Sequence, residues 1–266
     1  MNIIAHRGRI TTTYPENTKE TFLACVNDQT INGVECDVQF TNDNQTIISH
    51  YNYLACTSYK FMFNKISSLN HDEVFNSKFH PDTLGLVSEI IKSIIQFDIN
   101  NLKFLFKYIG SRGTFTDLGT FLSILNNQKQ ILLHIKMPNA PTNKNIQGYE
   151  KILFNILKDY RDTTIYIQSY NPYVLKSLKK TFPNFKVGLS VRENLSSITD
   201  EYDFISINQH YLNKRVADQI FANKQQLMIW TVDTKLELKH LQKMLGSHLN
   251  QCILISKHAK IIARLK

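Results

Sequence analysis

Nine short apolar runs rich in β-branched residues, most of them separated by stretches of helical periodicity, constrain this chain more than any other feature. The runs are Asn2 to Ala5, Val34 to Phe40, Thr46 to His50, Ile131 to Lys136, Ile165 to Gln168, Lys186 to Val191, Phe204 to Asn208, Leu227 to Val232 and Cys252 to Ser256. Helical patterns fall between them at Glu16 to Val26, Leu118 to Leu125, Tyr149 to Leu157, Pro172 to Thr181, Lys214 to Phe221 and Leu236 to Leu245. Strands that alternate with helices pair in parallel, so the pattern predicts an α/β protein. No glycine fingerprint for a dinucleotide or nucleoside triphosphate follows the first run.

Eight strands suffice for a closed barrel, and the ninth run has a local explanation. Asn42-Asp43-Asn44-Gln45 is hairpin chemistry, because Asp and Asn tolerate the positive φ of a tight turn. A two-residue turn centred on Asp43 and Asn44 would set His50 opposite Asp37. Glu35 and Asp37 share a face by the strand period of two, so Glu35, Asp37 and His50 are expected on one wall.

The segment from Tyr51 to Gly113 interrupts the alternation and is rich in aromatics, among them Tyr59, Phe61, Phe63, Phe104, Phe106 and Tyr108. It reads as a mainly helical subdomain, 51–113, inserted into a single domain spanning 1–266, with the aromatics forming its own small core. With 42% hydrophobic residues and only nine glycines, the chain is neither disordered nor fibrous.

Cys25, Cys36, Cys56 and Cys252 are scattered with no Cys-x-x-Cys pair, which argues against a structural zinc site and a disulfide framework. No signal-peptide pattern opens the sequence, and no run approaches the ~20 apolar residues of a membrane span, so a cytoplasmic location is expected. The net charge of +9 is concentrated in residues 214–266, which carry ten basic and three acidic side chains. Those lysines are dispersed along helical patterns. They read as a solvated surface that leaves peripheral membrane contact open, and nucleic acid is not an expected partner.

The chemistry-bearing residues begin at the end of the first strand with His6-Arg7-Gly8, followed by Tyr14-Pro15-Glu16-Asn17-Thr18. An imidazole moves protons near neutral pH, and a guanidinium clamps phosphate oxygens with paired hydrogen bonds. Glu35-x-Asp37 offers two carboxylates on one strand face, a donor set suited to a hard divalent cation.

In order, His-Arg-Gly, Pro-Glu-Asn-Thr, Glu-x-Asp and a histidine closing the next short strand resemble the glycerophosphodiester phosphodiesterase family. The likeness continues in Gln168-Ser169-Tyr170-Asn171-Pro172 and Trp230-Thr231-Val232-Asp233, and it covers essentially the whole chain. The resemblance implies a TIM-type (β/α)8 barrel that hydrolyses glycerophosphodiesters to glycerol 3-phosphate and an alcohol. It implies His6 and His50 as the acid/base pair, and one divalent cation, Mg, Ca or Mn, held by Glu35 and Asp37. Arg7 and Lys136 would contact the phosphate, Trp230 would line the pocket, and Glu16 and Asn17 would support the site. The partner so implied is a small-molecule phosphodiester; oligomeric state is not legible.

The chain departs from the family pattern at three places. His134-Ile135-Lys136 stands where the family has Glu-x-Lys, so His134 becomes the third ligand and favours a transition metal, or it is a core histidine. Tyr51 and the Ser256-Lys257-His258 segment replace family aspartates. Two other readings follow: a phospholipase-type phosphodiesterase acting on lysophospholipid-like substrates, and a catalytically silent phosphodiester-binding homologue. Two titratable histidines facing a carboxylate pair argue for activity.

Overall fold

The computed structural model describes residues 1–10, 14–50, 52, 65–76, 113–137, 142–193 and 195–265. Its strands are β1 (Asn2–Ala5), β2 (Gly33–Phe40), β3 (Thr46–Ile48), β4 (Gln130–Ile135), β5 (Ile165–Ser169), β6 (Lys186–Val191), β7 (Phe204–Asn208), β8 (Gln226–Trp230) and β9 (Ile253–Ser256). Among the described residues every strand pairing is parallel except that of β3 with β2, and β1 pairs with both β9 and β2. Eight parallel strands therefore close into a (β/α)8 barrel. β3 is the surplus element, paired as an antiparallel strand along the C-terminal half of β2.

Strand alternation sorts the side chains into two cores. One set faces the helices and includes Ile3, Val34, Cys36, Leu133, Ile167 and Leu254. The other set points inward, where Ile4, Leu132, Tyr166, Phe204, Met228, Ile253 and Ile255 fill the barrel. This second cluster occupies the middle of the barrel, and inward positions nearer the carboxyl ends of the strands are polar. Gly188 shows how tightly the interior is filled, since a Cβ there would lie 2.4 Å from the ring of Phe204.

Side-chain caps start the helices just past the carboxyl ends of the strands. Thr18 caps Lys19–Asn27, Asn171 caps Pro172–Thr181 with Pro172 in the first turn, and Asn213 caps Lys214–Ala222. Thr234 and Glu237 form a reciprocal capping box on Lys235–Leu245. Each cap satisfies amide groups that the first helical turn leaves open, and it fixes the helix N-terminus on the rim of the barrel mouth.

The hairpin departs from the expected register by one residue. Val38 pairs with Ile48 and Phe40 with Thr46, so the connection is the three-residue loop Asn42, Asp43 and Asn44, with Asn44 at φ 60°. Thr41 explains the longer loop: its amide donates to the Gln45 carbonyl, and its hydroxyl donates to Asp43 Oδ1 at 2.6 Å. Ser49, not His50, stands opposite Asp37, donating its amide to the Asp37 carbonyl at 2.9 Å. Of the 51–113 segment, the described part contains a short 3-10 turn, Ile66–Ser68, and a helix, His71–Phe75. Tyr51, Cys56 and the aromatics from Tyr59 to Phe63 and Phe104 to Tyr108 lie outside the described residues, as does most of the expected helical subdomain. No helix among the described residues is long and apolar enough to cross a membrane.

The Gly188 contact makes a packing prediction. Gly188→Ala should destabilise the protein by about 1–3 kcal/mol through overpacking against Phe204. Pairing it with Phe204→Leu should recover part of that loss in urea denaturation, because the two sites share one space. Strictly additive losses would show that the ring is free to move aside.

Candidate active site

Inward parity in the strands, carried one residue past β1, β4 and β9 to His6, Lys136 and Lys257, builds a polar cavity of about 520 Å³ at the carboxyl ends of the strands. β1 delivers His6, β2 delivers Glu35 and Asp37, and β4 delivers His134 and Lys136. Trp230 from β8 lines the same cavity. His50 also reaches it, although the hairpin register does not put it there. β3 ends at Ile48, so strand alternation no longer governs the direction of His50.

Asp37 is the hub of the site. Its Oδ2 forms an ion pair with Arg7, 3.2 Å from Nε, and accepts from Asn17 Nδ2 at 3.3 Å, while its Oδ1 forms an ion pair with Lys136 Nζ at 3.0 Å and lies 3.4 Å from His134 Nδ1. Burial opposes ionisation of Asp37, yet the Lys136 ammonium, the hydrogen bond from His134 and the Arg7 guanidinium hold it well below the usual carboxylate range. Glu35 has the opposite balance. Burial, reinforced by the Asp37 charge, pushes it up to about 8, even though the Arg7 amide donates to its Oε2 at 2.8 Å. Arg7 reaches both carboxylates through a left-handed backbone, φ 53° and ψ 30°, that aims its N–H at Glu35 while its side chain turns to Asp37. Such a conformation is uncommon for a non-glycine residue and is held here by these contacts.

Glu16, expected in a helix, lies instead in the loop before it, where it joins Arg7 Nη1 at 2.8 Å to Arg9 Nη1 at 3.0 Å. Burial raises its pKa, but the two guanidinium groups overcome that and hold it far below the ordinary value. Arg9 was not singled out in the sequence, because an arginine in a loop carries no periodic signal. Two further cavity residues, Gln168 and Lys257, do carry one: Gln168 sits at inward parity on β5, and Lys257 continues the inward parity of β9 one residue past its end. Asp233 holds the end of β9 in place by accepting from Ser256 Oγ at 3.1 Å and the Lys257 amide at 2.7 Å.

His6, His50 and His134 are driven toward the neutral form. Burial, then Arg7, takes His6 well below its ordinary value and His50 down to about 2; burial, then Lys136, takes His134 down to about 4. His6 Nε2 stands 3.9 Å from Glu35 Oε2. One ligand atom each from Glu35, Asp37 and His134 lies within 4.8 Å of the others. This donor set fits a divalent cation: a neutral imidazole offers a lone pair, and the raised proton affinity of Glu35 beside Asp37 is what a positive charge between them would relieve.

A family model described as the glycerophosphoryl diester phosphodiesterase family matches residues 6–247. A curated glycerophosphodiester phosphodiesterase of Caldanaerobacter subterraneus subsp. tengcongensis is 24% identical over 253 residues, 91% of this chain and 89% of that protein. Among solved structures, an Oleispira antarctica phosphodiesterase in complex with the product sn-glycerol-3-phosphate superposes with a TM-score of 0.74 at 20% identity, covering 100% of this chain and 97% of that one. A glycerophosphodiester phosphodiesterase from Parabacteroides distasonis gives 0.71 at 14% identity, covering 99% and 95%. At these identities the structural likenesses speak for the barrel fold.

The Arg7–Glu16–Arg9 bridge sets a pH-dependent contribution to stability. Glu16→Gln should cost about 3 kcal/mol at pH 7, because it removes the anion that stands between two buried guanidinium groups. The folded-state pKa of Glu16 is depressed, so this contribution is fully present above the ordinary carboxylate value of 4.5 and is lost as pH falls below it. Urea midpoints of the two proteins should therefore differ more at pH 7 than at pH 3; an equal gap at both would contradict the assignment.

Proposed function

The chain belongs to the glycerophosphoryl diester phosphodiesterase family, and on that premise we propose that it hydrolyses glycerophosphodiesters to glycerol 3-phosphate and an alcohol, using His6 and His50 as the acid/base pair. The observation that carries the reading is the convergence of both imidazoles with Glu35, Asp37 and His134 on one cavity at the carboxyl ends of the barrel strands. Glu35, Asp37 and His134 would hold a divalent cation. When bound, the cation neutralises phosphoryl oxygen charge that otherwise repels a nucleophile.

The remaining work falls to the chain's own residues. Arg7 and Lys136 supply cationic hydrogen-bond donors beside the carboxylates, and they orient an anionic diester through the same electrostatics that fix Asp37. Neutral His6 and His50 are ready to take a proton from the attacking hydroxyl. Burial and then Arg7 depress both imidazoles, and the incoming phosphate charge opposes that depression, favouring protonation of the partner imidazole that delivers a proton to the leaving alkoxide. The nucleophile is either water or the neighbouring glyceryl hydroxyl. The latter passes through a cyclic phosphate detectable by phosphorus NMR.

A lysophospholipid-like substrate is the second reading, favoured by two exposed side chains. Tyr173 and Leu236 are 81% and 78% exposed at the starts of the helices that follow β5 and β8, on the mouth side of the barrel. Hydrolysis of glycerophosphocholine against that of a long-chain lysophospholipid separates the two.

His6→Ala and His50→Ala should each lower turnover by about 10²- to 10⁴-fold with unchanged thermal melting, the usual loss for a general acid or base. Wild-type turnover in either variant removes that histidine from the mechanism.

With His134 as third ligand, Mn, Co or Zn should support activity better than Ca, because a nitrogen donor favours transition metals and one negative charge is missing. His134→Glu should raise Mg- or Ca-supported activity relative to Mn-supported activity. An unchanged metal ranking in a folded variant would leave His134 outside the ligand set.

A further inference from the structure

His134 is flanked in the sheet by two polar residues of the same inward parity. Asp37 of β2 lies on one side of it and Gln168 of β5 on the other, each in direct register. Two residues earlier on the same strands, Leu132 and Tyr166 are also register partners and both belong to the barrel interior, so His134 and Gln168 project inward side by side. His134 turns its Nδ1 toward Asp37 Oδ1 at 3.4 Å. Its Nε2 and the Oε1 of Gln168 are both buried, and neither has a hydrogen-bond partner among the described residues.

Two unsatisfied polar atoms in one wall are costly unless something completes them. On its far side Gln168 faces Gly188, which has no side chain and whose space is filled by the Phe204 ring. Gln168 is only 3% exposed. The polar side chain beside it in register is therefore His134. Tyr170 packs its ring edge-on to His134 at 4.8 Å and covers the pair from the mouth.

We propose that Gln168 is the positioning residue of His134, its amide carbonyl accepting the Nε2–H and so fixing the tautomer whose bare Nδ1 faces Asp37 and the cation. A neutral imidazole carries one N–H, and the nitrogen offered to a metal has to be the other one. With no cation bound, Nδ1–H donates to Asp37 and Nε2 is bare, and the same amide can turn its NH2 group toward that nitrogen. An amide serves both states by rotating about its terminal bond, which exchanges its acceptor oxygen for its donor NH2. The inference rests on the reading of Glu35, Asp37 and His134 as ligands, and it explains how a histidine can stand in a carboxylate's place.

The test uses the whole protein with Zn2+ alone, by isothermal titration calorimetry and nitrogen-15 NMR of the imidazoles. In the wild type, Zn2+ should convert His134 from the Nδ1–H to the Nε2–H tautomer. Gln168→Met, close in shape but without the amide, should weaken Zn2+ binding about 10- to 100-fold, the usual loss when a ligand's outer partner is removed, with thermal melting of the unloaded protein little changed. Gln168→Glu can only accept from the ring, so its unloaded protein should already hold the Nε2–H tautomer. Unchanged affinity and tautomer in Gln168→Met would overturn the proposal. Ligation of Zn2+ through Nε2 in the wild type would do so without any variant. If His134→Ala binds Zn2+ as tightly as the wild type, the ligand reading itself falls, whereas loss in His134→Ala with none in Gln168→Met removes only the role of Gln168.

Discussion

A single buried carboxylate, that of Asp37, holds the site together. Arg7 from the end of β1, Asn17 from the loop after it, and His134 and Lys136 from β4 all converge on its two oxygens. Burying one anion is unfavourable, and the structure compensates by surrounding it with donors that are themselves fixed by other contacts. Arg7 is tied back to Glu16, and Glu16 to Arg9. The loop after β1 therefore keeps its left-handed turn because the charges on either side of it demand it.

That arrangement leaves Glu35 as the uncompensated member of the pair, with its proton affinity raised by burial and by Asp37. One carboxylate locked in its ionised form beside another that resists ionisation is a site prepared for additional positive charge. The neutral histidines around it follow from the same low-dielectric surroundings and from the field of Arg7 and Lys136. Binding of a cation and of an anionic diester are thus two parts of one electrostatic balance, and the barrel supplies the rigid frame on which it is held.

The frame depends on packing below the site. Phe204 occupies the space left by the missing side chain of Gly188, and Tyr166 meets it edge-on at 5.6 Å, so the inward residues above are supported from beneath. On the rim, the helix caps at Thr18, Asn171, Asn213 and Thr234 fix where each loop ends.

Local periodicity determined the α/β class, the nine strands, the surplus status of β3, and the shared face of Glu35 and Asp37, because each of these depends on residues close in sequence. The resemblance carried by His6-Arg7-Gly8 and its companion motifs placed the chain in its family. The hairpin register escaped by one residue because Thr41 lengthens the loop through its own hydrogen bonds, a competition that the turn residues alone do not reveal. Which groups share Asp37, why Glu35 and Asp37 differ in proton affinity, how His50 reaches the cavity from beyond its strand, and that Gln168 stands beside His134 were decided by tertiary structure. These relations join strands far apart in the chain. The register between such strands is set by barrel closure, which no single stretch of sequence encodes.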